Sequence, residues 1–324
     1  MMTKSDPTAK EDLPAEFLER LQTIVPAAQY DGVVRSFGTA KPVSFRINTL
    51  ADGTAARARL RESGIGIEEV PWFPEAMVLS DPEQAPALEP LVEEGLIYRQ
   101  ALSSMLAALA LGPRPGESVL DACAAPGSKT SLCAALMENS GKITAVERVR
   151  TRLYKLRAVL ELQRVTNTET VLSDIRRYRH EHGPVDRALV DAPCSSEGRF
   201  HTGNPRSVNY WSLRKIREMR RKQRGILLSA GRLVKSGGTL IYATCTFAPE
   251  ENEEVVDWFL RKTGGAFVLE DVSDEWGTRV ESYPALKSWR KHEFHPSIGG
   301  CLRVLPTEHM DGFFIARLRK EEDT

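Results

Sequence analysis

The chain has 324 residues, with 44 Lys plus Arg against 44 Asp plus Glu. That length allows about two domains with a sizeable core, and neutrality excludes a surface coated in positive charge without excluding a local basic face. Its five cysteines, Cys123, Cys133, Cys194, Cys245 and Cys301, include no CxxC pair, which argues against a disulfide framework or zinc knuckle and for reduced thiols, with no metal site expected.

Residues 1–12 read as a frayed tail, polar and without an apolar secretion segment. No stretch approaches ~18 consecutive apolar residues, so the expected location is the cytoplasm. Residues 13–95 read as a small α/β module. It holds a helix at Glu16–Val25, an alternating strand at Val43–Leu50 and a basic helix at Ala55–Ser63 stopped by Gly64. An extended stretch, Ile65–Leu79, is broken by Pro71 and Pro74. Residues 96–324 read as the main domain, opening on a helix at 99–111.

From Ser118 the pattern is regular. A strand ends at Asp121, and a tight loop leads into a helix closed by Gly141. Further strands end at Glu147, near Asp174 and at Asp191, with a basic helix at 149–163 between the first two. A long helix at 212–235 stops at Gly237-Gly238, and a strand follows, ending at Cys245. The next helix is expected from Pro249, with Glu250, Glu251, Glu253 and Glu254 in its first turns, where proline and acids are favourable. This alternation predicts an α/β fold with a Rossmann-like, doubly wound, mainly parallel sheet.

Acids close four successive strands: Asp121, Glu147, Asp174 and Asp191. Each alone could cap the following helix. Four in register point to a ligand, because open α/β sheets bind ligands beyond the carboxyl ends of their strands. A carboxylate at the second strand's end can accept from both ribose hydroxyls, and the third can meet an adenine amine. The loop Asp121-Ala122-Cys123-Ala124-Ala125-Pro126-Gly127-Ser128-Lys129-Thr130 matches neither GxGxxG nor GxxxxGK[ST]. Its small residues let a ligand lie close, and nothing there would surround a triphosphate. A cofactor such as S-adenosylmethionine fits better.

Cys194 in Asp-Ala-Pro-Cys and Cys245 in Ala-Thr-Cys-Thr follow two strand-like runs. If those strands are neighbours, ~5 Å apart, the two sulfurs share one rim. Cys245, in polar surroundings and beside a helix N-terminus, is expected to favour thiolate. Cys123 and Cys133 read as structural, and Cys301 as incidental. Arg148–Arg164 holds six Lys or Arg and Leu213–Arg224 holds seven, each with one acid. These are solvated faces or surfaces for a phosphate backbone. Phe200, Tyr210 and Trp211 could stack on a base or simply pack. His201, His292 and His295 show no metal-ligand spacing.

DACAAPGSKT (121–130), DAPCSSEG (191–198) and TLIYATCTFAPEENE (239–253), with GLIYRQALSSML (95–106) before and MDGFFIARLRK (310–320) after, resemble the Sun-type (Nop/Sun) RNA cytosine-5 methyltransferases. RINTL (46–50) extends the resemblance upstream. It implies a class I methyltransferase domain preceded by a ferredoxin-like (RRM-like) RNA-binding module, with bacterial ribosomal RNA enzymes nearest. In that reading Cys245 is the nucleophile, Cys194 assists product release, and Cys123, Ala124, Ala125, Pro126, Gly127, Ser128, Lys129, Glu147, Asp174 and Asp191 line the S-adenosylmethionine site. Asp191 also lies near the base. The expected partner is RNA, ribosomal or transfer. The extra C-terminal RNA-binding domain often found in those enzymes is not expected here, and Ala101 stands where an acid is usual.

The chemistry agrees. Cytosine carbon 5 is too weak a nucleophile until a thiolate adds to carbon 6. Asp191, if protonated, would steady ring nitrogen 3, and Cys194 would remove the carbon 5 proton. The base must be unpaired or extruded. Rival readings are an RNA-binding assembly factor without catalysis, against which both cysteines speak, and a dinucleotide oxidoreductase, against which the missing GxGxxG speaks.

Overall fold

A computed structural model describes residues 13–179 and 181–322, so the tail read at 1–12 lies outside the described residues. Two sheets organise the chain. The larger runs Ser282–Pro284, Leu302–Val304, Phe313–Lys320, Val234–Thr244, Val185–Asp191, Ser118–Asp121, Lys142–Glu147, Thr168–Leu172, and Phe267–Glu270 also pairs with Phe313–Lys320. The five strands from Val234–Thr244 to Thr168–Leu172 are parallel, and Phe313–Lys320 is inserted antiparallel. This is the doubly wound, mainly parallel sheet expected. Strand order reverses beside Ser118–Asp121, which opens a crevice at the carboxyl ends.

The smaller sheet is antiparallel, in the order Ile67–Glu69, Ala76–Leu79, Ser44–Ile47, Ile97–Arg99. With the helix Gly53–Glu62 after its first strand and helical turns Pro82–Glu93 before its last, it has the ferredoxin-like βαββαβ topology. Ile97–Arg99 is the fourth strand of this sheet, so the helix read at 99–111 begins only at Leu102. The extended stretch 65–79 is a hairpin of two short strands.

Packing divides the segment 13–95. The small sheet keeps its own core, including Phe45, Ile47, Leu60, Leu79 and Ile97. Helices Ala15–Ile24 and Ala27–Ser36, the second not anticipated, bury Phe17, Leu21, Val33 and Phe37 in the large domain's core. Asn48 of the RINTL run joins the two bodies by donating to Gly95 O at 2.9 Å and Gln163 O at 3.0 Å. Arg46 is 1% exposed, donates to Gln100 Oε1 and Ser131 Oγ, and is pulled down to about 10 by burial. No helix among the described residues is long and apolar enough to cross a membrane.

The helix expected from Pro249 begins at Glu253. Residues 249–252 form a turn, so Glu250 and Glu251 serve the interior, whereas Glu253 and Glu254 do lie in the first turn of the helix as expected. Glu250 pairs with Arg20 at 2.6 Å, and Glu253 meets Arg303 at 2.5 Å with both side chains nearly sealed from solvent. Removing one partner of such a buried pair strands a charge, at about 3–5 kcal/mol.

Candidate active site

Register brings the two cysteines together. Asp191 lies opposite Ala243 on adjacent parallel strands, and Ala192 N donates to Ala243 O at 2.9 Å. Each chain then turns over the same rim, and Cys194 Sγ stands 3.4 Å from Cys245 Sγ. Ser196 Oγ completes the cluster, 3.6 Å from Cys245 Sγ and 3.8 Å from Cys194 Sγ. Ser196 is held in the left-handed region at φ 60°, a conformation that for a non-glycine residue persists only where its surroundings impose it.

The loops are laced to each other. Ser195 Oγ and Thr246 Oγ1 are 2.7 Å apart, and buried Glu197 accepts from Thr246 Oγ1 at 2.9 Å, Phe247 N at 3.1 Å and Trp211 Nε1 at 2.7 Å. Gly198 N donates to Cys245 O at 2.9 Å and Gly312 N to Gly198 O at 3.2 Å. A Cβ on Gly198 would fall 2.2 Å from Gly312 O, which is why this crossing needs glycine.

A cavity of about 420 Å³ opens in front of the sulfurs, lined among others by Cys123, Ala125, Glu147, Asp174, Asp191, Cys194, Ser196 and Cys245. The strand-end acids differ in use. Asp121 accepts from Thr130 Oγ1 at 2.7 Å and Cys123 N at 3.3 Å, bracing the loop, and burial pushes it up to about 6. Glu147 Oε1 accepts from Val149 N at 2.8 Å while its other oxygen lies 3.6 Å from Arg152. Asp174 is paired with Arg176, which holds it down at about 2. Asp191 Oδ2 is 2.6 Å from the ammonium of Lys129, which also donates to Ser104 Oγ at 2.8 Å and lies 5.8 Å from the Phe313 ring centroid.

Of the loop residues read as cofactor contacts, Cys123 and Ala125 line the cavity, whereas Ala124, Pro126, Gly127, Ser128 and Lys129 do not. Ala124 is buried with Leu153 and Leu156. Gly127, at φ 114°, has Leu156 Cδ1 only 3.0 Å from where a Cβ would stand, so it seats the loop on the next helix. Lining residues that the sequence reading did not assign to the cofactor site include Arg148, Arg176, Lys215, Met219, Lys222 and Ile226. Lys215, Met219, Lys222 and Ile226 share a helix face at 3–4-residue spacing, a signal that the charge run concealed.

Phe200 and Trp211 pack rather than stack on a ligand. Their rings lie 4.9 and 5.9 Å from that of Phe17, whereas Tyr210 is 85% exposed. Arg220 pairs with Glu254 at 2.6 Å, so the exposed arginines of its helix Leu213–Leu233 are Arg214, Arg217 and Arg221 near its start and Arg232 at its end. Among the described residues no cluster of side chains could hold a metal ion.

The family described as 16S rRNA methyltransferase RsmB/F matches residues 108–319, and the N-terminal domain of 16S rRNA methyltransferase RsmF matches residues 13–101. The chain belongs to the RsmB/F methyltransferase family. It is 36% identical to ribosomal RNA small subunit methyltransferase F of Aeromonas hydrophila, over 95% of this chain and 64% of that one. It is 35% identical to the tRNA (cytosine(49)-C(5))-methyltransferase of Pyrococcus abyssi, over 86% of this chain and 88% of that one. A crystal structure of a methyltransferase homolog protein from Pyrococcus horikoshii superposes with a TM-score of 0.82 at 30% identity, covering 97% of this chain and 99% of that one. The chain thus spans just under two thirds of the length of its methyltransferase F relative.

The thiol pair divides its proton unequally. The Cys194 contact, then Ser196, favours thiolate at Cys245 against burial and Asp191, while the same contact with burial drives Cys194 upward. The expected preference for thiolate at Cys245 is therefore present, but its source is the neighbouring thiol and hydroxyl; the next helix starts eight residues on, at Glu253. Iodoacetamide should label Cys245 first, with a midpoint below the ordinary thiol value, and Cys194→Ala should move that midpoint up. Peptide mass mapping over a pH series checks this; earlier labelling of Cys194 would reverse the assignment.

Proposed function

We propose that this protein transfers a methyl group from S-adenosylmethionine to carbon 5 of a cytidine in RNA, with ribosomal RNA the first candidate. The observation that carries the reading is the 3.4 Å pairing of Cys194 and Cys245 at the rim of the cavity. One thiol suffices to add to a pyrimidine. A second at contact distance suits a reaction that must also release the product.

The cavity suits the proposed cofactor. Glu147 offers a carboxylate for ribose, Asp174 one for the adenine amine, and Cys123 and Ala125 allow close approach. S-adenosylmethionine would supply an electrophilic methyl carbon there. The chain's own residues do the rest. Cys245 thiolate adds to carbon 6 and makes carbon 5 nucleophilic. Asp191, held 2.6 Å from Lys129 Nζ, stands beside the base and steadies ring nitrogen 3 when it carries a proton at that stage. Once Cys245 is bound as the thioether, Cys194 gives its own proton to water; its thiolate then takes the carbon 5 proton, and Cys245 leaves as thiolate.

The outward arginines Arg214, Arg217 and Arg221, with exposed Tyr210, suit a phosphate backbone and a stacked base. We assign the ferredoxin-like module to RNA contact as well. Transfer RNA is the second reading, favoured by the similarity along most of the length of the Pyrococcus tRNA enzyme. Incubation with methyl-labelled S-adenosylmethionine and either transcribed ribosomal or transfer RNA should place label in 5-methylcytosine, located by bisulfite sequencing. Cofactor and RNA binding without label on either RNA would favour the assembly-factor reading.

A further inference from the structure

Two adjacent side chains each hold one cysteine loop. Glu251 Oε2 accepts from Ser195 N at 3.0 Å and from Gln223 Nε2 at 2.7 Å, and the same Gln223 amide donates to Pro193 O at 3.0 Å. These bonds fasten the backbone on both sides of Cys194. Asn252 Oδ1 accepts from Thr244 Oγ1 at 2.5 Å, and Asn252 Nδ2 donates to Thr246 O at 2.8 Å. These fasten both sides of Cys245. Gln223, Thr244, Glu251 and Asn252 are all 0% exposed, and the two holding residues are separated by a single peptide unit, ~3.8 Å between Cα atoms. Asn252 sits at the N-cap position of helix Glu253–Thr263 yet makes no side-chain capping bond there. A residue type well suited to capping is instead turned toward the cysteine loop.

We propose that Glu251-Asn252 is a positioning pair that fixes the separation of the two thiols, Glu251 acting on Cys194 and Asn252 on Cys245. The pairing itself is independent of the reaction; only its catalytic consequence rests on the methyltransferase reading. A general stabilising network would make both residues fail alike. A positioning pair makes neighbouring substitutions fail in opposite steps. Glu251→Ala frees the Cys194 loop, so the adduct forms and is not released. Asn252→Ala frees the Cys245 loop, so no adduct forms. Burial raises the Glu251 carboxyl to about 8, so it is largely protonated at neutral pH and Glu251→Gln is a close replacement that should restore the wild-type pattern.

Thiol separation can be read without RNA or cofactor. With diamide, Cys245 thiolate adds to one azo nitrogen and Cys194 displaces it. The two sulfurs join, and the azo bond gains two electrons and two protons to become the hydrazine. Intact mass then falls by two hydrogens. Wild type and Glu251→Gln should close the disulfide at similar rates, and Glu251→Ala and Asn252→Ala about tenfold or more slowly, measured below each variant's melting temperature. On RNA with S-adenosylmethionine, Glu251→Ala should accumulate a denaturant-stable adduct and Asn252→Ala none. Wild-type disulfide rates in both alanine variants, or the same adduct behaviour in both, would overturn the proposal. Slowed disulfide closure supports the pair even if Cys194→Ala gives no adduct, a result that would instead remove the release role of Cys194.

Discussion

Replacement of Cys245 by alanine should abolish methyl transfer while S-adenosylmethionine still binds. The residue is the member of the thiol pair that favours thiolate, with Cys194 Sγ at 3.4 Å and Ser196 Oγ at 3.6 Å to hold the charge. Alanine leaves carbon 6 without the thiolate that attacks it; Cys123, which lines the same cavity, is driven upward by burial. Cys133 and Cys301 are buried, and burial pushes both upward. Removing a covalent nucleophile commonly costs about 10⁴-fold or more in rate. Label transfer to RNA measures the loss, and titration calorimetry with the cofactor separates it from a binding defect. Retention of turnover within about tenfold of wild type would refute the nucleophile.

Replacement of Cys194 by alanine should give the opposite appearance, an enzyme that attacks but does not let go. The contact with Cys245, then burial, drives the Cys194 thiol upward; once Cys245 is tied up as a thioether, Cys194 yields its proton to water and its thiolate is free to act as base. Without it the carbon 5 proton has no thiol acceptor, and the Cys245–carbon 6 bond persists. A denaturing gel should show a slower, RNA-dependent and cofactor-dependent band, absent in wild type and in Cys194→Ala/Cys245→Ala. Normal release with no shifted band would assign proton removal elsewhere.

The parts of this site legible in sequence were those set by strand ends. Parallel pairing puts successive carboxyl ends on one rim, so Glu147, Asp174, Asp191, Cys194 and Cys245 could be grouped from their positions after strand-like runs. Local pattern could not say which way a side chain turns. Asp121 carries the same signal as Asp191 and braces its own loop instead. Phe200 and Trp211 read equally as stacking or packing until Phe17, far away in sequence, occupied them. The acids after Pro249 look like a favourable helix start, but burial recruits them to Arg20, Ser195 and Arg303, and the helix begins later. In each case a long-range partner overrides a local preference, and such partners leave no periodic trace.

The Arg20–Glu250 ion pair joins positions 230 residues apart. Around it the rings of Phe17 and Phe37 back the loops that carry Phe200 and Phe247. During synthesis the opening helices leave the ribosome long before the residues they must meet. They can meet Phe200 and Trp211 first, but the cluster closes only when Phe247 and Glu250 have followed. A nascent chain that stops short of Glu251 lacks both residues that fasten the cysteine loops, so the spacing of the two sulfurs is set only after that turn has emerged.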